Sequence, residues 1–229
     1  MNDPDGIWAV VPIKEFGGAK QRLAGLLTAE QRRALAACMA EDVLEALAAV
    51  PELAGILVVT KEPVAIALAQ RYGAQISTDG ARSGHTGAVA AAAQRLVRER
   101  RAGMITLPGD IPAVTAAEIS ATLAVHKPSP SFTIVPAHDE LGSNAIVVTP
   151  PDALPLQFGD NSFFPHLDSA RRAGLAPTII RHPGIAMDID HPADLDMFLS
   201  MKSLRPTRTR AFLEKERPRG SAPWIPARA

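Results

Sequence analysis

Three segments of this sequence carry residue types suited to phosphate and metal chemistry. The first is Pro12-Ile13-Lys14-Glu15-Phe16-Gly17-Gly18-Ala19-Lys20-Gln21-Arg22-Leu23, in which two glycines and three cations follow a short apolar run. Glycines let backbone N–H groups approach an anion, and cations neutralise phosphate oxygens. The spacing is not that of a Walker loop. The competing reading is a plain strand-to-helix turn with solvated Lys and Arg. The second segment, Leu107-Pro108-Gly109-Asp110-Ile111-Pro112, holds an acid directly after an apolar stretch and between prolines. A rigid carboxylate there suits a hard divalent cation such as Mg²⁺, which takes one or two carboxylates plus substrate phosphates. Asp110 as a turn or cap residue is an equal alternative. The third is Ile185-Ala186-Met187-Asp188-Ile189-Asp190-His191-Pro192. In an extended chain Asp188 and Asp190 face the same side, and they repel unless a cation or base lies between them. Asp190 could instead cap a helix beginning near Pro192. That would leave Asp188, costly in an apolar run, without a purpose, so metal binding gains weight.

Two further segments are weaker. Gly142-Ser143-Asn144-Ala145 and Phe158-Gly159-Asp160-Asn161-Ser162-Phe163 put small polar residues at element junctions. Anion-binding turns look like this, but ordinary turns and helix caps do so more often. The six histidines show no metal-ligand spacing. Cys38 is the only cysteine, which excludes an intrachain disulfide and a Cys-based zinc cage.

The elements that must position these residues follow from periodicity. Strands are expected at residues 7–13, 55–60, 74–77 and 104–108, and helices at 29–49, 62–72, 86–101 and 115–125, the first capped by Thr28. This alternation predicts an α/β fold with a parallel sheet covered by helices on both faces. Strands at 132–137 and 145–149, separated only by a loop, predict an antiparallel portion in the second half. Helical turns at 152–154 and 162–173, a strand at 177–181 and a helix at 194–201 complete the pattern. In such open sheets the ligand sits beyond the carboxyl ends of the strands, where Lys14, Asp110 and Asp188 fall.

The 229 residues are 47% hydrophobic with zero formal net charge, which excludes wholesale disorder. The charge is unevenly spread. From Lys202 onward eight basic residues face only Glu214 and Glu216, so this tail is about +6 and the rest about −6. The expected division is a body at 1–205 and a basic, proline-containing tail at 206–229, extended or mobile, with a short helical turn near 211–215. An acidic body argues against a general nucleic-acid binder. The most apolar stretch, 34–50, is interrupted by Glu41, Asp42 and Glu45 and cannot span a bilayer. No signal-like run opens the chain, so a cytoplasmic protein without a membrane partner is expected.

Taken together, these segments resemble the guanylyltransferases of coenzyme F420 biosynthesis, which couple GTP to 2-phospholactate, phosphoenolpyruvate or 3-phosphoglycerate. The similarity runs in order from Val11 to about Leu195. It rests on Pro12-Ile13-Lys14 with Ala19-Lys20 and Arg22-Leu23, Asp110-Ile111-Pro112, Gly142-Ser143-Asn144-Ala145, Phe158-Gly159 with Ser162-Phe163, and Asp188-Ile189-Asp190. It implies a single-domain, Rossmann-like nucleotidyltransferase fold, a three-layer sandwich like that of molybdopterin-cofactor guanylyltransferases. It implies that Lys14, Gly17, Gly18, Lys20 and Arg22 hold the GTP phosphates, with Lys20 and Asp110 catalytic and Gly84 near the nucleotide. It also implies Mg²⁺ on Asp110, Asp188 and Asp190, and the acceptor's phosphate on Ser143, Gly159 and Ser162. The implied partners are GTP and a small phosphorylated acid, with a homodimer as an option. One segment departs from the family pattern: relatives usually carry Gly-Leu-Asn where this chain has Gly84-His85-Thr86. The alternatives are a different nucleotide or acceptor, or a non-catalytic nucleotide-binding module of the same fold.

Overall fold

The computed structural model describes residues 6–202, 206–217 and 224. Seven strands form one sheet: β1 (Ile7–Pro12), β2 (Leu53–Val59), β3 (Gln75–Ser77), β4 (Gly103–Thr106), β5 (Ser131–Pro136), β6 (Ser143–Thr149) and β7 (Thr178–Ile179). Their spatial order is β3-β2-β1-β4-β6-β5-β7. β1 pairs in parallel with β2 and β4, and β3 adds in parallel to β2. β6 runs antiparallel to both β4 and β5, as the bare loop between β5 and β6 predicts.

The side-chain period of two divides β1 between two cores. Ala9 and Val11 pack on one face, with Leu35, Met39 and Val43 of α1 (Ala29–Ala48), Leu68 of α2 (Pro63–Arg71), Ile119 of α4 (Ala116–Ala124) and Leu195 and Phe198 of α7 (Pro192–Ser200). Trp8 and Val10 pack on the other, with Val89 and Leu96 of α3 (Gly84–Arg98) and Phe163 and Leu167 of α5 (Phe163–Arg172). The result is helix, sheet, helix. A strand buried on both faces reads as a continuous apolar run, which is why β1 was legible. The start of α1 is a capping box: Gln31 N–H donates to Thr28 Oγ1 at 3.2 Å and Thr28 N–H to Gln31 Oε1 at 2.8 Å. A short helix, α6 (Pro183–Ala186), lies where no element was expected, and the helical turns expected at 152–154 are a turn and bends.

Of the tail expected at 206–229, the described part is helical over more than the short turn expected at 211–215. Residues 203–205, at the expected boundary, lie outside the described residues. Arg208–Glu216 forms helix α8, docked against α1. Its N-terminal amides are capped from across the chain. Arg208 N–H and Thr209 N–H each donate to a different oxygen of Asp42 at 2.9 Å, and Arg210 N–H donates to its own cap, Thr207, at 3.1 Å. The Arg208 guanidinium reaches Glu41 and Glu45 at 3.0 Å each. The acids that interrupt the apolar stretch of α1 are therefore the docking site for α8. Composition showed a basic tail and an interrupted helix, but not that each satisfies the other.

Asp42 is fully buried, so its truncation leaves the Arg208 and Thr209 N–H groups unpaired, with Thr207 as the one remaining cap described above. Asp42→Ala is expected to lose about 2–4 kcal/mol in denaturant unfolding, with earlier proteolytic cleavage around α8. His126 supplies a pH test. Its ring nitrogens lie 2.9 Å from Thr133 Oγ1 and 3.0 Å from Thr149 Oγ1, and burial lowers its pKa to about 4. Between that value and the unfolded value of about 6.5 the unfolded chain binds more protons, so stability falls as pH drops through this window. Melting temperature should decline less steeply over that range in His126→Gln.

Candidate functional site

Above the carboxyl ends of β1 and β4 lies a cavity of about 1240 Å³. This exceeds the roughly 300–1,000 Å³ of an ordinary small-molecule site and is large enough for two reactants. It is lined by Lys14, Gly18, Lys20, Arg22, Gly84, Asp110, Ser143, Gly159, Ser162, Asp188 and Asp190. Of the residues singled out in the sequence, Gly17 alone does not line it. A smaller hollow of about 460 Å³ near β3, beside Arg95 and Arg98, holds none of them.

The loop after β1 is two 3₁₀ turns, Phe16–Gly18 and Gln21–Leu23. The Phe16 N–H is anchored on Glu62 at 2.9 Å. Lys20 joins the turns in the left-handed conformation, at φ 52° and ψ 44°, a backbone that costs a non-glycine residue free energy. Its ammonium is held by two carboxylates, 2.6 Å from Asp110 Oδ2 and 2.6 Å from Asp190 Oδ1. The Lys20 side chain is 8% exposed. Burial pulls its pKa down, but Asp110 and Asp190 more than offset this and leave it above the ordinary lysine value. Burial works against ionised Asp190 too; Lys20 outweighs it and holds that pKa below the usual carboxylate value. Arg22 sits more loosely, 3.2 Å from His191, 3.7 Å from Asp160 and 3.8 Å from Asp190. Of the three cations, Lys14 and Arg22 are exposed, and Lys14 makes no ion pair among the described residues.

The loop before α7 settles the alternative for Asp190. The residue next to the helix is His191, and Asp194 Oδ2 accepts from the N–H groups of Asp190 and His191 at 2.8 and 2.7 Å. Asp190 is thus relieved of capping and points at Lys20. Ile189 N–H donates to the Asp110 carbonyl at 3.2 Å, tying this loop to the one after β4. Asp188 accepts from the Asn144 amide at 3.0 Å, and His138 stands 3.5 Å from it and 3.7 Å from Asp194. Burial first, then the like charges of Asp110 and Asp190, push the Asp188 carboxyl above its ordinary pKa despite the Asn144 bond.

Two carboxylates thus flank one ammonium and a third, Asp188, lines the same cavity, which leaves negative charge in excess. That donor set suits a hard divalent cation, which binds one or two carboxylates and fills its shell with phosphate oxygens. The single three-carboxylate cage expected from the sequence is not preassembled. Among the described residues no three acidic, histidine or cysteine side chains form a metal-holding group, because Lys20 stands between Asp110 and Asp190 and Asn144 draws Asp188 aside.

Ser143 and Asn144 open β6, and as neighbours in a strand they point to opposite sides. Asn144 faces Asp188, while Ser143 Oγ meets His166 at 2.9 Å and Ser162 Oγ at 3.2 Å. A Cβ on Gly159 would meet nothing within 4 Å, so that turn is open on the cavity. Gly84, at φ +72°, begins α3 in the left-handed region that favours glycine. Next to it, His85 stacks on Phe158 at 4.3 Å, and Thr86 Oγ1 accepts from Phe158 N–H at 2.9 Å. Sequence reading missed His138, Asn144, His166 and Thr86 as site residues. Asn144 and Thr86 stood inside quoted segments, but His138 and His166 gave no local signal because their partners are distant in the chain.

Residues 7–218 match the family described as "Guanylyl transferase CofC like". The chain is 35% identical over 190 residues to a phosphoenolpyruvate guanylyltransferase of Rubrobacter xylanophilus, covering 82% of this chain and 91% of that protein. It is 31% identical over 194 residues to a 3-phospho-D-glycerate guanylyltransferase of Colwellia psychrerythraea, covering 85% and 91%. Among solved structures it is similar to a nucleotidyl transferase from Methanothermobacter, at TM-score 0.59 and 16% identity over 92% of this chain and 99% of that one. It is also similar to a 4-diphosphocytidyl-2C-methyl-D-erythritol synthase from Anaerococcus prevotii, at TM-score 0.57 and 13% identity over 93% and 100%. At these identities the structures share the fold alone. No helix of the described residues is long and apolar enough to cross a membrane.

The Lys20 bridge gives a test that needs no substrate. Lys20→Met leaves Asp110 and Asp190 facing each other without counter-charge, so a folded-state carboxyl pKa rises above its unfolded value. Stability from such a group is present at low pH and lost as pH rises. The variant should be about 1–3 kcal/mol less stable than the parent at pH 7, a range reduced because Asp190 is part-exposed. The deficit should narrow by pH 4.5 in thermal melts. A deficit independent of pH would contradict the bridge.

Proposed function

The chain belongs to the CofC-like guanylyl transferase family, and on that premise we propose that it transfers GMP from GTP to the phosphate of a small phosphorylated acid in coenzyme F420 biosynthesis. The supporting observation is that Lys14, Lys20 and the three aspartates line the same cavity as Ser143, Gly159 and Ser162. An oxygen of the acceptor's phosphate attacks the α-phosphorus of GTP. One P–O bond forms, the bond to the β-phosphate oxygen breaks, and pyrophosphate leaves with the electron pair. A phosphate monoester is already an anionic nucleophile, so the site needs no strong general base. Its work is to bring two anions together and hold them in line.

The exposed ammonium of Lys14 takes triphosphate charge, with Gly18, Lys20 and Arg22 beside it. Asp110, Asp188 and Asp190 would hold Mg²⁺, which when bound withdraws charge from phosphate oxygens and aligns them. Asn144 and His138 orient Asp188 for that task. Ser143, Gly159 and Ser162 receive the acceptor's phosphate. The acceptor is phosphoenolpyruvate, 3-phosphoglycerate or 2-phospholactate. Of the two relatives described above, the one named for phosphoenolpyruvate is the more similar, so that acid comes first.

The protein incubated with GTP, MgCl₂ and each acid in turn should release pyrophosphate and give a guanylylated acid detected by mass, with one acid clearly preferred. Asp110→Asn and Asp188→Asn should lower turnover by about 10³-fold or more while retaining the circular dichroism of the parent. Parent-like rates in either variant would remove the metal assignment.

A further inference from the structure

Ser143, Ser162 and His166 are at most 8% exposed, yet the two serines line the cavity. Ser162 precedes α5, where a serine ordinarily caps the helix, but its hydroxyl makes no cap bond. It meets Ser143 Oγ at 3.2 Å instead. His166 Nδ1 lies 2.9 Å from Ser143 Oγ, and its Nε2 lies 3.0 Å from the backbone nitrogen of Gln157.

These contacts fix where protons sit. A backbone N–H can only donate, so Nε2 of His166 must offer its lone pair to Gln157. A neutral imidazole then carries its proton on Nδ1, and Nδ1–H donates to Ser143. Burial first, and then the neighbouring His85, lower the His166 pKa to about 4, which keeps the ring neutral near pH 7. The two serines own two hydroxyl protons, and their mutual hydrogen bond uses one. Because His166 gives a proton to Ser143 rather than taking one, the other remains free. In the opposite tautomer Ser143 would donate to His166 and Ser162 to Ser143. The pair would then show only lone pairs to the cavity and repel an anion.

We propose that His166 is a positioning residue for the acceptor: locked as the Nδ1-protonated tautomer by Gln157, it leaves one hydroxyl proton of the Ser143–Ser162 pair for a phosphate oxygen. This rests on the reading of Ser143 and Ser162 as the acceptor's phosphate site and adds what makes them donors. The ring need not touch substrate. It acts by filling an acceptor position on Ser143.

Nitrogen-15 NMR of histidine-labelled protein, with the His166 ring assigned by through-bond correlation to its own backbone in the parent, should show the proton on Nδ1 and a bare Nε2. A proton on Nε2 would overturn the proposal, and this reading stands even if the variant folds poorly. In steady-state kinetics His166→Phe should raise the KM for the phosphorylated acid roughly 10- to 100-fold, the scale of one hydrogen bond to a charged group, with the KM for GTP little changed. In a Ser143→Ala/Ser162→Ala background the same substitution should add nothing, because no hydroxyl remains to orient. An undiminished effect there would reduce His166 to a packing role. If the double serine variant raises the acceptor KM but His166→Phe does not, this inference alone fails. If the double serine variant keeps the parent's acceptor KM, the assignment of the phosphate site fails and the inference with it.

Discussion

The site depends on one electrostatic arrangement: a buried ammonium shared by carboxylates that the chain delivers from 90 and 170 residues away. Neither carboxylate would tolerate the other at this range without it. The arrangement also accounts for the unfavourable backbone of Lys20. The left-handed turn is retained because two short ion pairs and the anchored Phe16 over-determine it. Three loops, after β1, after β4 and before α7, are thereby drawn to one point. The Ile189–Asp110 backbone hydrogen bond fastens two of them without spending a side chain.

The same arrangement explains the charge pattern of the cavity. Lys20 is already committed to carboxylates and Arg22 leans toward them, so Lys14 and Arg82 are the lining cations without an ion pair among the described residues. Asp188 lies outside the Lys20 bridge and is held by the neutral amide of Asn144. Burial and two like charges raise its pKa, so positive charge brought beside it would favour its ionised form. A site built this way favours a ligand that arrives with its own cation, as nucleoside triphosphates do.

Much of the frame was legible because each signal was local. β1 is apolar along its whole length, Thr28 and Gln31 stand three apart, and Asp110 follows an apolar run directly. The fold-class expectation follows from the alternation of such segments, and the antiparallel β6 from the missing helix between two strands. What was not legible is pairwise and distant. Nothing near Asp42 says that it caps a helix more than 160 residues later, and nothing near Arg208 says that it is a docking residue rather than part of a solvated tail. That Asp190 does not cap α7 turned on His191, which takes the cap position, and on Asp194, whose carboxylate accepts from the Asp190 and His191 N–H groups. Asp194 was visible in the sequence, but not the direction of its side chain.

The departure at Gly84-His85-Thr86 illustrates the same limit. Read along the chain, it lies at the start of α3, where the resemblance implies a nucleotide role. In space it also braces the opposite wall. Thr86 holds the Phe158 N–H, His85 stacks on the Phe158 ring, and that ring meets His166 edge-on at 5.1 Å. Phe158 follows Gln157, whose N–H sets the His166 tautomer, and precedes Gly159 of the open turn. A change of residue types at the start of α3 is therefore coupled by direct contact to the loop carrying Gly159 and Ser162. Substitutions on α3 and on the 157–162 loop act on one packed unit, so their effects on stability are not expected to add.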